Sequence, residues 1–173
     1  MFDPDNTTLS EGVIAARLLL AVALGAVIGF EREQMARPAG LRTHMLTALA
    51  AALFTIITME IHAGVLRESA GQNTDPIRVI EAVTAGVAFL AAGAIFRSQG
   101  DVKGLTTGAG MWLAGAIGVA CGVGYGILAV MATVFAAIIL AVMATALAAA
   151  ILFVVRWVET YAGNKESRSS DST

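Results

Sequence analysis

Residues 104–155 read GLTTGAGMWLAGAIGVACGVGYGILAVMATVFAAIILAVMATALAAAILFVV, a run of 52 residues without one Asp, Glu, Lys or Arg. As a single α-helix this run would be about 78 Å long at 1.5 Å per residue. That length far exceeds the ~30 Å hydrocarbon core of a bilayer, so the run must fold back on itself. Three glycines in five residues, Gly122-Val-Gly-Tyr-Gly126, predict the turn. They divide the run into two membrane spans, 105–123 and 127–155.

The composition of the whole chain points to the same class. Of its 173 residues, 57% are hydrophobic and 14% are charged, whereas soluble domains have about 45–50% and about 25%. The formal net charge of -2 excludes a basic nucleic-acid binder and a highly charged disordered chain. The single cysteine, Cys121, cannot form an internal disulfide, and we expect it to be a buried small residue. Because no nucleophile with a neighbouring base is recognisable, we predict neither an enzyme nor a cofactor.

Three more apolar stretches lie upstream of the charge-free run. Since a membrane-crossing helix needs about 20 mostly apolar residues, the sequence predicts an all-α polytopic bundle of about five transmembrane helices in a lipid bilayer. Their expected bounds are 12–30, 45–61, 77–96, 105–123 and 127–155. The alternative is four spans plus a re-entrant segment around Gly104–Gly110.

Lys and Arg are unevenly distributed between the loops. They concentrate after span one, after span three and in the C-terminal tail, which by the positive-inside rule are the cytoplasmic sides. We therefore predict an outside N-terminus and a cytoplasmic C-terminus. The predicted organisation is a periplasmic segment over 1–11, a transmembrane domain over 12–156 and a polar tail over 157–173.

Two charges fall inside the predicted spans. Arg17 and Glu81 have similar depth near the outer face, and unpaired charges in the membrane are costly, so we predict an ion pair between them. His44 and His62 are expected at opposite membrane interfaces. Acidic residues gather on the outer side and could supply oxygen ligands for Mg²⁺, although their geometry is not fixed by the sequence. These residues are Asp3, Asp5, Glu11, Glu60, Glu68, Asp75 and, at the edge, Glu81.

The loop after span one crowds arginines and glutamates into about 14 residues. We take its functional candidates to be Glu31, Arg32, Arg37, Arg42 and Thr43. Two interpretations stay open: structural salt bridges, or recognition of an anionic headgroup, phosphate or partner protein by the planar guanidinium groups. Thr43 is expected to cap the N-terminus of span two.

A second group of candidates opens span four. Lys103, Gly104, Thr106 and Thr107 stand at a helix start, where exposed N–H groups bind anions and glycines allow another helix to approach. Small residues at helix-packing spacing are also present, either for contacts within one protomer or for a subunit interface in a homo-oligomer. They are Gly25 with Gly29, Gly118 with Gly122, and Gly86 with Gly93.

Taken together, two blocks resemble the MgtC/SapB family of bacterial inner-membrane proteins. The first is Ala39-Gly-Leu-Arg-Thr-His44, preceded by Glu31-Arg-Glu33, and the second is Val102-Lys-Gly-Leu-Thr-Thr107. The resemblance covers roughly residues 11–145 and is that of a short form without the cytoplasmic C-terminal domain of virulence-associated members.

The resemblance implies a non-enzymatic regulatory inner-membrane protein with a role in adaptation to low magnesium, in some members connected with virulence. It also implies a membrane partner such as the ATP synthase, with Glu31, Arg32, Arg42 and Asp75 at matching positions. We expect such a protein to act through helix–helix or loop contacts. The alternative is a transporter or channel for Mg²⁺ or another ion.

Overall fold

The structure, a computed structural model, describes residues 7–68, 75, 77–98 and 101–170. It contains helices α1 Glu11–Gln34, α2 Leu41–Glu68, α3 Ile77–Gly93, α4 Leu105–Val123 and α5 Gly126–Ser170, with strands β1 Phe96–Ser98 and β2 Asp101–Lys103. Four stretches are long and apolar enough to cross a membrane: Glu11–Gln34, Leu41–Leu66, Leu105–Val123 and Gly126–Met143. The 17 residues of α3 make a rod of about 26 Å, slightly shorter than the hydrocarbon core. The protein is an all-α, multi-pass membrane bundle.

The region between α3 and α4 differs from the expectation. The third span was predicted to run to residue 96, but α3 ends at Gly93 and the chain enters an antiparallel hairpin in which Phe96 pairs with Lys103. From Leu105, α4 then runs without interruption to Val123. The helix over 105–123 is one of the four candidate spans, whereas α3, the third of the five predicted spans, is not among them.

The turn between α4 and α5 lies where the glycines predict it. Gly124 has a φ of 104°, a left-handed conformation that glycine adopts without strain. Its N–H donates to the Cys121 carbonyl at 3.1 Å, and the Tyr125 N–H donates to the Ala120 carbonyl at 2.8 Å. This pair of bonds is a Schellman motif, which satisfies carbonyls at the end of α4.

The core of the first unit, which ends at Phe135, lies where α1, α2 and α4 pack together. Its buried side chains are mainly alanines, among them Ala21, Ala48, Ala52 and Ala114, each 0% exposed. Such small side chains let helix backbones approach closely, which is how helices associate in lipid. The residues from Ala136 form a second unit that continues α5 to Ser170.

The glycine pairs separate into two groups. A Cβ at Gly25 would lie 2.8 Å from the His44 carbonyl oxygen, and one at Gly118 would lie 2.2 Å from that of Ala48, so both glycines are in close contact with α2. Gly29 and Gly122 are equally tight against α2. In contrast, a Cβ at Gly86 or Gly93 would have nothing within 4 Å. The same kind of spacing therefore serves close packing in α1 and α4 but not in α3.

Candidate functional site

The connection between α1 and α2 is held by a glutamate at its start. Glu33 Oε2 accepts a hydrogen bond from the Leu41 N–H at 2.8 Å and so caps the N-terminus of α2. Gly40 lies against the same carboxylate, since a Cβ there would clash with Glu33 Oε2. The expected cap, Thr43, is instead inside α2, where its carbonyl accepts from Thr47 Oγ1 at 2.8 Å. The cap comes from α1 because the loop turns back within eight residues.

The three arginines of the predicted loop lie in different elements, Arg32 in α1, Arg37 in the connection and Arg42 in the first turn of α2, and they have different environments. Arg32 is buried, at 5% exposure, and its Nε donates to Glu31 Oε2 at 2.6 Å. Arg37 and Arg42 are exposed and make no hydrogen bond or ion pair to any other described side chain. One of these arginines is thus structural, and the other two present guanidinium groups that no described side chain binds.

His44 occupies a position that the sequence did not reveal. It was expected at a membrane interface, but its side chain is 0% exposed between α1, α2 and α4. Its Nδ1 lies 2.8 Å from the Gly40 carbonyl oxygen, and because a carbonyl only accepts, Nδ1 is the protonated nitrogen. Nε2 has no hydrogen-bond partner in the described structure and faces Gly110, where a Cβ would be 3.1 Å away.

The second group of candidates lies at the same end of the bundle as this loop. Ala39 of the loop forms a buried cluster with Ala91 at the end of α3 and Met111 of α4. The start of α4 therefore directly supports the connection between α1 and α2, which together with the flanking residues from Glu31 to His44 is the first loop. His62, by comparison, is partly exposed further along α2.

The start of α4 itself is built for close approach of the chain. Gly104 has a φ of 87° and lies against the Ala94 carbonyl, and Gly108 lies against the Ala91 carbonyl. Thr107 is buried at 2% exposure, whereas Lys103 and Thr106 are exposed. The two glycines of this segment therefore serve close packing against the end of α3.

Arg17 and Glu81 do not form the predicted ion pair. Arg17 Nη1 donates to the Gly122 carbonyl at 2.8 Å, at the C-terminal end of α4, while the Glu81 side chain is exposed. The reason is the packing order: α1 packs against α2 and α4, and α3 packs on α4 and α2. The negative end of the α4 dipole therefore takes the place of the carboxylate.

The acidic residues predicted to lie on the outer side have separate roles where they are described. Glu60 accepts hydrogen bonds from the N–H groups of Thr8 and Leu9, at 2.6 and 3.1 Å, just before α1 begins. Asp75 Oδ1 accepts from the Ile77 N–H at 2.9 Å at the start of α3. No group of three or more His, Cys, Asp or Glu among the described residues is arranged to hold a metal ion. Asp3, Asp5 and the side chain of Glu68 lie outside the described part.

Comparison with known proteins places this end of the bundle in a family. The sequence profile of the MgtC family matches residues 18–149, which include the first loop and the start of α4. The chain belongs to the MgtC family. Its relatives include a Protein MgtC of Brucella abortus, which is 40% identical over 70% of this chain, and a Protein MgtC of Salmonella typhimurium, which is 39% identical over 68% of this chain. An uncharacterised protein of Haemophilus influenzae is 37% identical over 78% of the chain.

This MgtC-family chain spans about half the length of the relatives it matches: the aligned parts are 55% of the Haemophilus protein, 47% of the Brucella protein and 46% of the Salmonella protein. No solved structure matches the chain. The first of the two blocks that carry the family resemblance lies beside the part of α4 that follows the second block, since Ala39 and Met111 belong to one buried cluster and His44 faces Gly110.

The cap at Glu33 gives a first testable prediction for the MgtC-family loop. Replacing Glu33 with Ala removes the acceptor for the Leu41 N–H, and we expect the free energy of unfolding to fall by about 1 kcal/mol. The measurement is thermal or denaturant unfolding of the detergent-solubilised protein. Gln34→Ala, at the exposed neighbouring position, is the matched control and should change stability by less than about 0.5 kcal/mol. If both variants lose the same amount of stability, the Glu33 hydrogen bond does not stabilise the start of α2.

Proposed function

We propose that this protein is a non-enzymatic regulator in a bacterial inner membrane, and that Arg37 and Arg42 are its recognition surface. The observation that carries the proposal is the contrast within one loop. Arg32 is buried and neutralised by Glu31, whereas Arg37 in the connection and Arg42 in the first turn of α2 are exposed. The Glu33 cap and the buried Ala39 fix the backbone between them. A fixed backbone lowers the entropy lost on binding. Guanidinium groups pair well with carboxylate or phosphate.

The physiological part of the proposal rests on the family. We propose a role in adaptation to low magnesium, with a membrane complex such as the ATP synthase as the partner and the first loop on the cytoplasmic side. The excess of Lys and Arg on that side supports this orientation. The resemblance to the MgtC/SapB family supports the magnesium connection and the partner class.

The test is complementation of a deletion strain grown across a series of magnesium concentrations. We expect the double variant Arg37→Ala, Arg42→Ala to reach normal membrane abundance but to grow like the deletion strain at low magnesium. Capture of the partner complex should fall at least tenfold, a loss that corresponds to about 1.4 kcal/mol of binding free energy. Arg42→Lys keeps the charge but loses the planar fork, so it should give an intermediate result.

Magnesium uptake and ATP level, measured in the same cultures, separate the proposal from transport. A growth defect with unchanged uptake and altered ATP supports regulation. Uptake that falls in step with growth, or full complementation by the double variant, would reject the proposal and favour the transporter or channel alternative. Gln34→Ala serves as the control in the same loop and should complement fully.

A further inference from the structure

The outward face of α3, a helix slightly shorter than the four candidate membrane spans, combines small and charged side chains. On its inner side α3 packs on α4, where Val87 lies against Gly115 and the Ala91 carbonyl lies against Gly108. The opposite side is exposed, with Phe89 at 80%. This side has no partner among the described residues of the chain.

Small side chains dominate this exposed side. Ala82, Ala85, Ala88 and Ala92 are all exposed. Other helices mix exposed alanines, such as Ala15 and Ala23 of α1, with large apolar residues, for example Leu19 of α1 at 68% and Ile127 of α5 at 82%. Since lipid tails are as apolar as leucine, small residues are favoured where another helix must approach closely. The α3 side therefore has the composition of a helix–helix interface.

Two opposite charges flank this alanine side. Arg78 and Glu81 are both exposed, and neither side chain has a hydrogen bond or ion pair to a described residue. Because they are three positions apart, they lie about 60° apart around the helix axis, and Ala85 and Ala92 lie between their directions. Unpaired charges on a membrane helix are unfavourable, so a partner that neutralises both would be selected over lipid.

We propose that this face, defined by Arg78, Glu81, Ala85 and Ala92, binds the same face of a second copy of the protein. In a membrane the two copies are related by a two-fold axis along the bilayer normal, so their α3 helices run parallel. That rotation brings Arg78 of each copy to the side on which the other copy presents Glu81. One interface thus forms two reciprocal ion pairs, the self-complementarity that a two-fold contact requires.

The alanines set the distance of the two helices. Ala85 and Ala92 are one heptad apart and lie on the line of closest approach, as in left-handed helix pairs. Phe89 lies beside this line and would be covered by the second helix. This contact is independent of the proposed role of the first loop, because the face lies on α3 and includes no residue of that loop.

Cysteine crosslinking in native membranes tests the dimer. In a Cys121→Ser background, Ala85→Cys should give a disulfide-linked dimer under mild oxidation, whereas Leu19→Cys, also exposed but on α1, should remain monomeric. Dimer from both variants, or from neither, would overturn the proposal and leave the face to lipid or to a different protein.

Charge exchange tests the ion pairs in the Ala85→Cys protein. Arg78→Glu or Glu81→Arg alone should lower the dimer yield at least fivefold, because like charges then meet across the axis. The double exchange should restore the yield to within twofold of the parent. If the single substitutions lowered the yield by misfolding, the double variant would also misfold, because it contains both of them. Recovery of the yield therefore points to the charge pairing. Yields that are unchanged in the single variants, or not restored in the double variant, would contradict the reciprocal pairing.

Discussion

Gly118→Ala is expected to be strongly destabilising, although it adds only one methyl group. The added Cβ would lie 2.2 Å from the Ala48 carbonyl oxygen and 2.8 Å from the Ala51 Cβ. Neither atom belongs to a flexible side chain, and Ala48 and Ala51 are 0% and 1% exposed, so α2 and α4 would have to move apart. Overpacking of this kind costs about 1–3 kcal/mol and occasionally more. We expect about 3 kcal/mol, a large part of the ~5–15 kcal/mol available to a typical domain.

The matched control for this prediction is Gly86→Ala. Gly86 is also inside a helix of the bundle, but a Cβ there would have nothing within 4 Å. Alanine is the better helix former by about 1 kcal/mol, so this variant should be neutral or slightly stabilised. The stability of both variants is measured by the midpoint of thermal unfolding and by the monodisperse fraction in detergent. If the two alanine variants are equally stable, α2 and α4 are not in close contact at Gly118.

Arg17→Met is expected to destabilise the protein by about 2 kcal/mol. The change removes the hydrogen bond from Nη1 to the Gly122 carbonyl and the positive charge next to the C-terminal end of α4. A hydrogen bond from a charged group contributes about 1.5–3 kcal/mol, and a charge near a helix end adds up to about 1 kcal/mol. Because Arg17 is only partly buried, we expect the lower part of the combined range. Arg17→Lys should lie between the wild type and Arg17→Met, since its shorter side chain keeps the charge.

Two further variants make the Arg17 measurement specific. Arg42→Met removes an exposed arginine without a described partner and should cost less than about 0.5 kcal/mol. The exchange Arg17→Glu with Glu81→Arg should be no more stable than Arg17→Glu alone, since Arg17 is bound to Gly122. Rescue by the exchange would restore the ion pair expected from the sequence and would contradict the observed contact.

The sequence predicts features whose causes are local. The turn at Gly122–Gly126 depends on glycines within one stretch, and the structure has a left-handed Gly124 there. The membrane helices follow from apolar length, since charged and polar residues are rare within each of them. The hairpin at Phe96–Lys103 was missed because strands of three residues have no recognisable periodicity.

The contacts of the candidate site depend on distant backbone, which sequence patterns do not encode. The acceptor for Arg17 is a carbonyl, and any residue has one, so the search for an opposite charge led to Glu81 instead. Gly25 and Gly86 occur in similar contexts, but only the three-dimensional packing decides that Gly25 meets His44. Burial of His44 requires three helices at once. A signal was nevertheless present, since glycines on α1 and a glycine on α4 surround it.

The contact of Arg17 with Gly122 also orders the assembly of the protein in time. The two residues are 105 positions apart in the chain. At synthesis rates of about 5–20 residues per second, Gly122 is made roughly 5–20 s after Arg17. Throughout that interval the first helix exists while the acceptor for its arginine does not. Completion of the bundle is therefore a late event of biogenesis, and a nascent chain that stops before residue 122 cannot bring α1 to its final bonding.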